Sequence, residues 1–501
     1  MKVGLAQLNQ ISADLEGNVQ RIVVACERAR ALGADLVVCP EMSVPGAATR
    51  DILFDASFID AVAEANRDLA AHVAPELVLI VGSVARGSRP SSRHPGLLNA
   101  ALVMFRGRTQ LSVAKRDLRS DAAFFEARWF EPGPPAPRVE LRGRVVEVRV
   151  GSHVTEKPAS AGVDVITSLA ASPYEVGEFE RRVEAARRAR GTVVQVNACG
   201  ANDGVILGGR SFVLNSAGDL CAVLPPDRAE VLVVDAQTDG ACESAAGCTM
   251  DELIGMLVVG VRDFVGKNRL GPAVVGLSGG VDSSVVACLA VRALGREGVI
   301  GVAMPSRYTD ARSTEAAAEL AGRLGIDCEV VPIEPLHKAA EGCLGPRAGG
   351  GVAAENLQAR LRMMILMAVV DSRRGFLLNT SNKTELALGY GTAYGDLAGI
   401  LSPIGDLDKL QVVELGRHIA ETAGEIPAFV LERKPSAELR ANQVDPFDYQ
   451  VIVPEVNRLI SGHQSNAAMR SSEHKRRQAG VVLEVSRNAF GSGRLVPITR
   501  R

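Results

Sequence analysis

Between an apolar strand and an apolar helix, in the run AVVGLSGGVDSSVVACLAVRAL, lies Ser278-Gly279-Gly280-Val281-Asp282-Ser283. Glycines let a backbone approach a phosphate closely, and the first turn of the helix that follows offers unpaired N–H groups to an anion. This is not a Walker A loop, because no Lys-Ser/Thr follows the glycines. A carboxylate, Asp282, stands where a lysine might be expected. Beside phosphates, a carboxylate makes sense as a holder of Mg²⁺. The plainer reading is a Gly-rich strand–helix turn with Asp282 as a helix cap. A second stretch raises a similar question. In VEVRVGSHVTEK, residues 146–157, a β-patterned run ends in Gly-Ser-His. Strand ends that lead into turns are where α/β enzymes place reactive side chains.

The elements that must position these residues alternate along the chain. KVGLAQ reads as a strand and NVQRIVVACERARALG as a helix stopped by glycine. ADLVVCPE is a strand, FIDAVAEANRDLAAHVA a helix, and LVLIVGSVAR and LLNAALVMF are strands. GVDVITSLAASP, the charged helix EVGEFERRVEAARRARG, TVVQVNACG and RSFVLNSAGDL follow. Alternation of this kind argues for α/β layers. Near residues 235–252 the pattern lapses into small and polar residues, which predicts a linker. A helix, DELIGMLVVGVRDFVGKN, then opens a second series of βα units reaching to about residue 420. The remaining tail reads as polar and irregular.

Composition bounds the function. The chain has 501 residues, 47% of them hydrophobic, which suits two to four globular domains. Its formal net charge of −2 gives no basic excess for a nucleic-acid footprint. No apolar run approaches the roughly 20 residues needed to span a bilayer, and MKVGLAQLNQ lacks a signal-peptide cleavage pattern. Nine cysteines are scattered with no CxxC pair, which disfavours a zinc or redox site. They read as reduced thiols in a cytoplasm. None lies between residues 40 and 198.

The loop at 278–283 resembles the pyrophosphate loop of the N-type ATP pyrophosphatases. Several branches share it, among them GMP, asparagine and argininosuccinate synthetases and tRNA thiolases. Downstream strings narrow the resemblance. MPSRYTD (304–310), ENLQARLR (355–362), NTSNKTELALGYGTAYGD (379–396), PIGDLDKL (403–410), KPSAEL (434–439) and EHKRRQAG (473–480) stand in the order and spacing of NAD⁺ synthetase. By this resemblance Ser278, Gly279, Gly280, Asp282 and Ser283 hold ATP phosphates and metal. Glu385 is the second Mg²⁺ carboxylate, and Thr380 and Lys409 meet ATP, with Lys409 stabilising the leaving pyrophosphate. Arg360, Asp396, His474 and Lys475 fall to the dinucleotide substrate. One departure stands out: after PSAEL the family usually continues with Gln, then Asp-Glu, then Tyr. Here NQVDPFDYQ has Asp445-Pro446 and a shortened approach to Tyr449.

Residues 1–240 resemble the nitrilase-type amidase domain that glutamine-dependent NAD⁺ synthetases carry as an ammonia source. That domain works through Cys, Glu and Lys. GADLVVCPEMSVPG supplies Glu41, LSVAKRDL supplies Lys115, and FFEARWFEPG supplies a supporting Glu126. AASPYEVGE resembles the segment flanking the glutamine pocket. Counted back from Ser172-Pro173, the nucleophile's place falls on Gly151 or Ser152, where no cysteine stands. Removing the nucleophile of a covalent hydrolase costs on the order of 10⁶ in rate. Ser152 and Cys39, which shares a face with Glu41 if the strand stays regular, are the two substitutes to weigh, although Cys39 reads more simply as a core cysteine.

The expectation is therefore a nitrilase-like α-β-β-α sandwich at 1–240, inactive as a glutaminase, and a linker at 241–252. A doubly wound parallel-sheet ATP pyrophosphatase domain follows at 253–501. The implied reaction uses ATP and Mg²⁺ to adenylate the nicotinate of deamido-NAD⁺, which free ammonia then converts to NAD⁺. The alternatives are an adenylating amide ligase for another acid, an amidase working through Ser152 or Cys39, and a nucleotide-binding scaffold. The partners implied are small molecules, with no nucleic acid and no membrane, and by resemblance the protein is a homo-oligomer.

Overall fold

In β1 (Lys2–Gln7), Val3 and Leu5 point into one apolar layer and Ala6 into another. The next two strands repeat the division. Leu36 and Val38 of β2 (Leu36–Val38), and Val78 and Ile80 of β3 (Val78–Arg86), join the first layer; Val37, Leu79 and Val81 join the second. Strands apolar on both faces must be covered on both.

One cover is helical. In α1 (Leu15–Ala31), Val19, Ile22, Cys26 and Ala29 lie at helical spacing and, with Leu69 and Ala70 of α2 (Ala56–His72), fill the second layer. The other cover is a second sheet, entering through Val146, Val148 and Val150 of β7 (Arg144–Val150), Val165 and Leu169 of β8 (Val165–Ala170), and Val194 and Val196 of β9 (Thr192–Asn197).

The computed structural model describes residues 1–88, 94–120, 124–135, 137–151, 157–236, 249–478, 480–486 and 489–490. Two compact units divide the chain, 1–249 and 250–501. In the first, the remaining strands are β4 (Leu97–Phe105), β5 (Arg108–Ala114), β6 (Arg138–Leu141), β7 (Arg144–Val150), β8 (Val165–Ala170) and β9 (Thr192–Asn197). After them come β10 (Cys199–Asn202), β11 (Val205–Gly208), β12 (Phe212–Leu214), β13 (Leu220–Val223) and β14 (Glu230–Asp235). The sheets run β14-β1-β2-β3-β4-β5 and β13-β12-β9-β8-β7-β6, with β10 and β11 a separate hairpin. α3 (Glu178–Arg187) closes the outer face of the second sheet, packing Phe179 and Val183 on Ile166, Val193 and Phe212. The result is the expected α-β-β-α sandwich. The helix expected over 175–191 starts only at Glu178, because Gly177 before it takes a left-handed φ of 75°.

The second unit opens with α4 (Met250–Asn268), so the last three residues of the expected linker are helical. A parallel sheet follows, β17-β16-β15-β18, built from β15 (Ala273–Gly276), β16 (Val299–Ala303), β17 (Asp327–Val330) and β18 (Phe376–Leu377). α5 (Val281–Leu294) links β15 to β16 and α6 (Ala311–Leu324) links β16 to β17. The chain returns through α7 (Glu334–Leu344) and α8 (Val352–Arg373) to the far side of β15. The connections thus diverge between β15 and β18, the kind of crevice where open α/β sheets bind ligands.

The tail is not irregular, contrary to the sequence reading. After α9 (Lys383–Leu388), β19 (Leu401–Ser402), α10 (Lys409–Ala423) and α11 (Ala428–Glu432) come α12 (Tyr449–Ser461), α13 (Ala467–Ser471), α14 (Glu473–Arg476) and β20 (Val481–Val482). Val456, Leu459 and Ile460 of α12 and Met469 pack with Leu386 and Leu397 in one cluster. A narrow apolar stripe at helical spacing was hidden by a polar average composition. Among the described residues no helix is long and apolar enough to cross a membrane.

Candidate functional site

A cavity of about 310 Å³ opens in the second unit, walled by the segments that follow β15, β16 and β18, by the start of α10 and by residues 430–445. In the turn that follows β15, Ser278 and Gly280 line the cavity and Gly279 between them does not; Gly279 has a φ of +70°, and a Cβ there would collide with the Ser313 carbonyl oxygen, so glycine is required. Gly280 caps α5 without a side-chain hydrogen bond, which leaves first-turn N–H groups available to a ligand. The Ser278 and Ser283 hydroxyls lie 3.1 Å apart, and the Ser278 N–H donates to Ser283 Oγ at 3.3 Å, holding the turn closed.

Asp282 sits in the first turn of α5 and pairs tightly with the Lys409 ammonium. Its other oxygen accepts from Asn382 Nδ2 at 2.9 Å. Asn382 is also the N-cap of α9: its Oδ1 accepts from the Glu385 N–H at 3.1 Å, while the Asn382 N–H donates to Glu385 Oε2 at 3.2 Å. One capping box therefore fixes Glu385 and anchors Asp282. Lys409 is the first residue of α10, set by the Asp408–Gln411 capping box and by its N–H on Thr384 Oγ1 at 3.2 Å. Burial and then the Asp282 carboxylate push the Glu385 carboxyl up to about 8, with Lys409 pulling the other way. Burial works against the charge on Lys409, but Asp282 and Glu385 outweigh it and raise that group.

A carboxylate that raises the carboxyl beside it in this way leaves a place suited to a hard divalent cation. Among the described residues no group of three or more His, Cys, Asp or Glu could hold a metal. Mg²⁺ needs no such cage: it is commonly held by one or two carboxylates together with substrate phosphates.

The other sequence-predicted residues divide. Thr380 and Asp396 line the cavity. Burial raises the Asp396 carboxyl, which accepts from the Thr392 N–H at 2.5 Å. Arg360, His474 and Lys475 stand outside the cavity wall. Arg360 is exposed and gives its Nε to the Ala393 carbonyl, and His474 is exposed. Lys475 Nζ clamps the turn after α9, donating to the Gly389 and Gly391 carbonyls at 3.0 and 2.9 Å.

Three features of the site were missed, two of them in the cavity wall. Asn382 lay inside a matching string without a role. Arg362 lies two residues from Arg360 and does line the cavity. Asp445, noted only as part of a departure, also lines the cavity and accepts from the hydroxyls of Tyr390 and Tyr449 at 3.0 and 2.8 Å.

The first unit has its own cavity, of about 60 Å³. Lys115 Nζ lies 2.6 Å from Glu41 Oε1 and 2.8 Å from Glu126 Oε1, and all three side chains are buried. Asn99 Nδ2 donates to Glu41 at 2.7 Å and the Arg119 N–H to Glu126 at 2.6 Å. Burial raises the Glu126 carboxyl against the pull of Lys115. Gly82 on β3 makes room for the Glu41 turn, since a Cβ there would strike the Pro40 carbonyl.

Gly151, with a φ of +102°, follows β7 directly and lines this cavity without a side chain. Ser152 lies outside the described residues. Cys39 is the core cysteine of the simpler sequence reading, and not a substitute nucleophile. β2 ends at Val38, so the alternation does not carry through to Glu41. Cys39 packs instead among Leu79, Val81 and Ala100 in the helix-side layer, where burial raises its thiol well above the ordinary range.

Comparison with known proteins follows this geometry. Residues 2–244 match the carbon-nitrogen hydrolase family and residues 253–488 the NAD synthase family. Glutamine-dependent NAD(+) synthetase of Synechocystis sp. is 33% identical, over 99% of this chain and 98% of that protein. That of Rhodobacter capsulatus is 34% identical over 100% and 98%. The solved structure of glutamine-dependent NAD⁺ synthetase from Acinetobacter baumannii in complex with adenosine diphosphate superposes with a TM-score of 0.80 at 28% identity, over 99% of this chain and 98% of that one. Matched end to end and in both halves, the chain belongs to the glutamine-dependent NAD(+) synthetase family.

Proposed function

We infer that this chain is a carbon–nitrogen ligase that converts deamido-NAD⁺ to NAD⁺ at the expense of ATP, and that its nitrogen comes as free ammonia. The ligase reading is supported by relatives of full length and by the Asp282–Asn382–Glu385–Lys409 arrangement. In the first step a carboxylate oxygen of the acid attacks the α-phosphorus of ATP, the bond to the β-phosphate breaks and pyrophosphate leaves. In the second, ammonia attacks the acyl carbon, AMP leaves with the bonding pair, and the nitrogen loses a proton.

In this reading the open N–H groups of α5, with Ser278, Gly280 and Ser283, cradle the phosphates. Lys409 meets charge building on the leaving pyrophosphate, and Thr380 and Asp396 bound the rest of the nucleotide cavity. Asp282 and Glu385 fit Mg²⁺, which when bound would neutralise phosphate charge.

The ammonia half rests on Gly151. The cavity with Glu41, Lys115 and Glu126 has no thiol where β7 ends, and covalent amide hydrolysis needs an attacking atom. The test is the purified full chain with ATP, Mg²⁺ and deamido-NAD⁺, supplied with either ammonium or glutamine. NAD⁺ from ammonium alone is the expected result. NAD⁺ from glutamine at a comparable rate would overturn the ammonia half, and no NAD⁺ from either would overturn the acid assigned.

A further inference from the structure

Three basic side chains line the cavity of the second unit, and two of them are already neutralised. Lys409 pairs with Asp282, and Arg433 pairs with Glu438 at 3.1 Å while donating to Ser313 Oγ at 2.8 Å. Arg362 differs. Its Nε donates to the Met304 carbonyl at 3.1 Å, and among the described residues its two terminal amino groups meet neither a carboxylate nor any other acceptor.

Its place is otherwise fixed. Leu366, one turn along α8, is buried in the sheet-side core with Val274 and Val302, and Met304 and Met363 pack against that cluster. Burial depresses the guanidinium, and the acids whose fields act on it are Asp396 and Glu438. Asp282 and Glu385 act instead on Lys409. A guanidinium partly withdrawn from water, with its terminal amino groups unpartnered, gains when a ligand brings the anion. Its free edge suits two oxygens of one carboxylate or phosphate. The phosphate loop and Lys409 already answer the triphosphate, which leaves the acid.

We propose that Arg362 is a binding residue for the acid substrate, its terminal amino groups receiving an oxyanion of deamido-NAD⁺, either the nicotinate carboxylate or a phosphate of the dinucleotide. This rests on the ligase reading above. The test is Arg362→Gln and Arg362→Lys in the full chain, with three affinities measured: deamido-NAD⁺ by direct binding and by KM, ATP, and NAD⁺.

In Arg362→Gln, deamido-NAD⁺ should weaken by about tenfold or more, the value of one charged hydrogen-bond pair, with ATP changed by less than about threefold. Arg362→Lys, which keeps the charge and the stem but not the fork, should fall between. NAD⁺ carries an amide in place of the carboxylate. If it weakens as deamido-NAD⁺ does, the contact is a phosphate; if it is unchanged, the contact is the carboxylate. The proposal is overturned if ATP weakens as much as the acid, or if both variants hold deamido-NAD⁺ as the natural chain does. A chain that binds deamido-NAD⁺ through Arg362 but makes no NAD⁺ would count against the ligase reading alone.

Discussion

Replacing Asp282 by Asn tests the centre of the ligase site with little change in shape. The amide oxygen can still accept from Asn382, so α9 and α5 stay tied. What is lost is one negative charge beside Lys409, which is itself only 5% exposed. Removing one partner of a fully buried pair costs about 3–5 kcal/mol. Here Glu385 remains to face Lys409, and with the Asp282 charge gone its carboxyl is freer to ionise. The stability cost should therefore be lower, about 1–2 kcal/mol. Catalysis should suffer more. In the proposed reading half of the metal carboxylates are gone, and a metal's charge stabilisation is worth several kcal/mol. Taking about 3–4 kcal/mol of it as lost predicts AMP formation slowed by roughly 10²–10³. The assay is pyrophosphate release and AMP formation with deamido-NAD⁺ and ammonium across a magnesium titration, with thermal melting beside it. AMP formation within about threefold of the natural chain at every magnesium concentration would refute the two-carboxylate argument.

Three further outcomes follow. Because Glu385 is raised from 4.5 to about 8, the folded chain holds a proton that the unfolded chain releases; in magnesium-free buffer stability should fall as pH rises from 4.5 to 8, and Glu385→Gln should flatten that slope in urea titrations. Lys115→Met strands two buried carboxylates, so it should cost about 3–5 kcal/mol of stability by denaturant titration, yet leave ammonium-dependent NAD⁺ synthesis intact in the folded fraction. Gly279→Ala forces both a left-handed φ and a collision with Ser313, and should weaken ATP binding by about tenfold or more, read by calorimetry.

The sequence was most informative where local chemistry is self-contained. The strand–glycine–helix turn at 276–283, the layered alternation of the first unit and the carboxylates Asp282 and Glu385 could all be read from short strings. Roles set by relative orientation could not. Arg360 and Arg362 share one matching string, but residues two apart on a helix point about 200° apart. Only the packing of α8 shows which one faces the cavity. The shared face of Cys39 and Glu41 held only if the strand stayed regular, and side-chain alternation ends where the strand ends, at Val38, which leaves Cys39 in the core. Asn382 joins residues 100 positions apart along the chain, a relation absent from any local pattern. The helices of the tail escaped because their apolar stripe is narrow and its partners, Leu386 and Leu397, lie far upstream.

The double duty of Asn382 has a consequence for which ions the enzyme accepts. Its amide nitrogen holds the Asp282 carboxylate and its amide oxygen the Glu385 backbone N–H, so one side chain ties both acidic residues to a single helix terminus. In the proposed site, a cation that drew the two carboxylates to a different spacing would therefore have to strain the cap of α9.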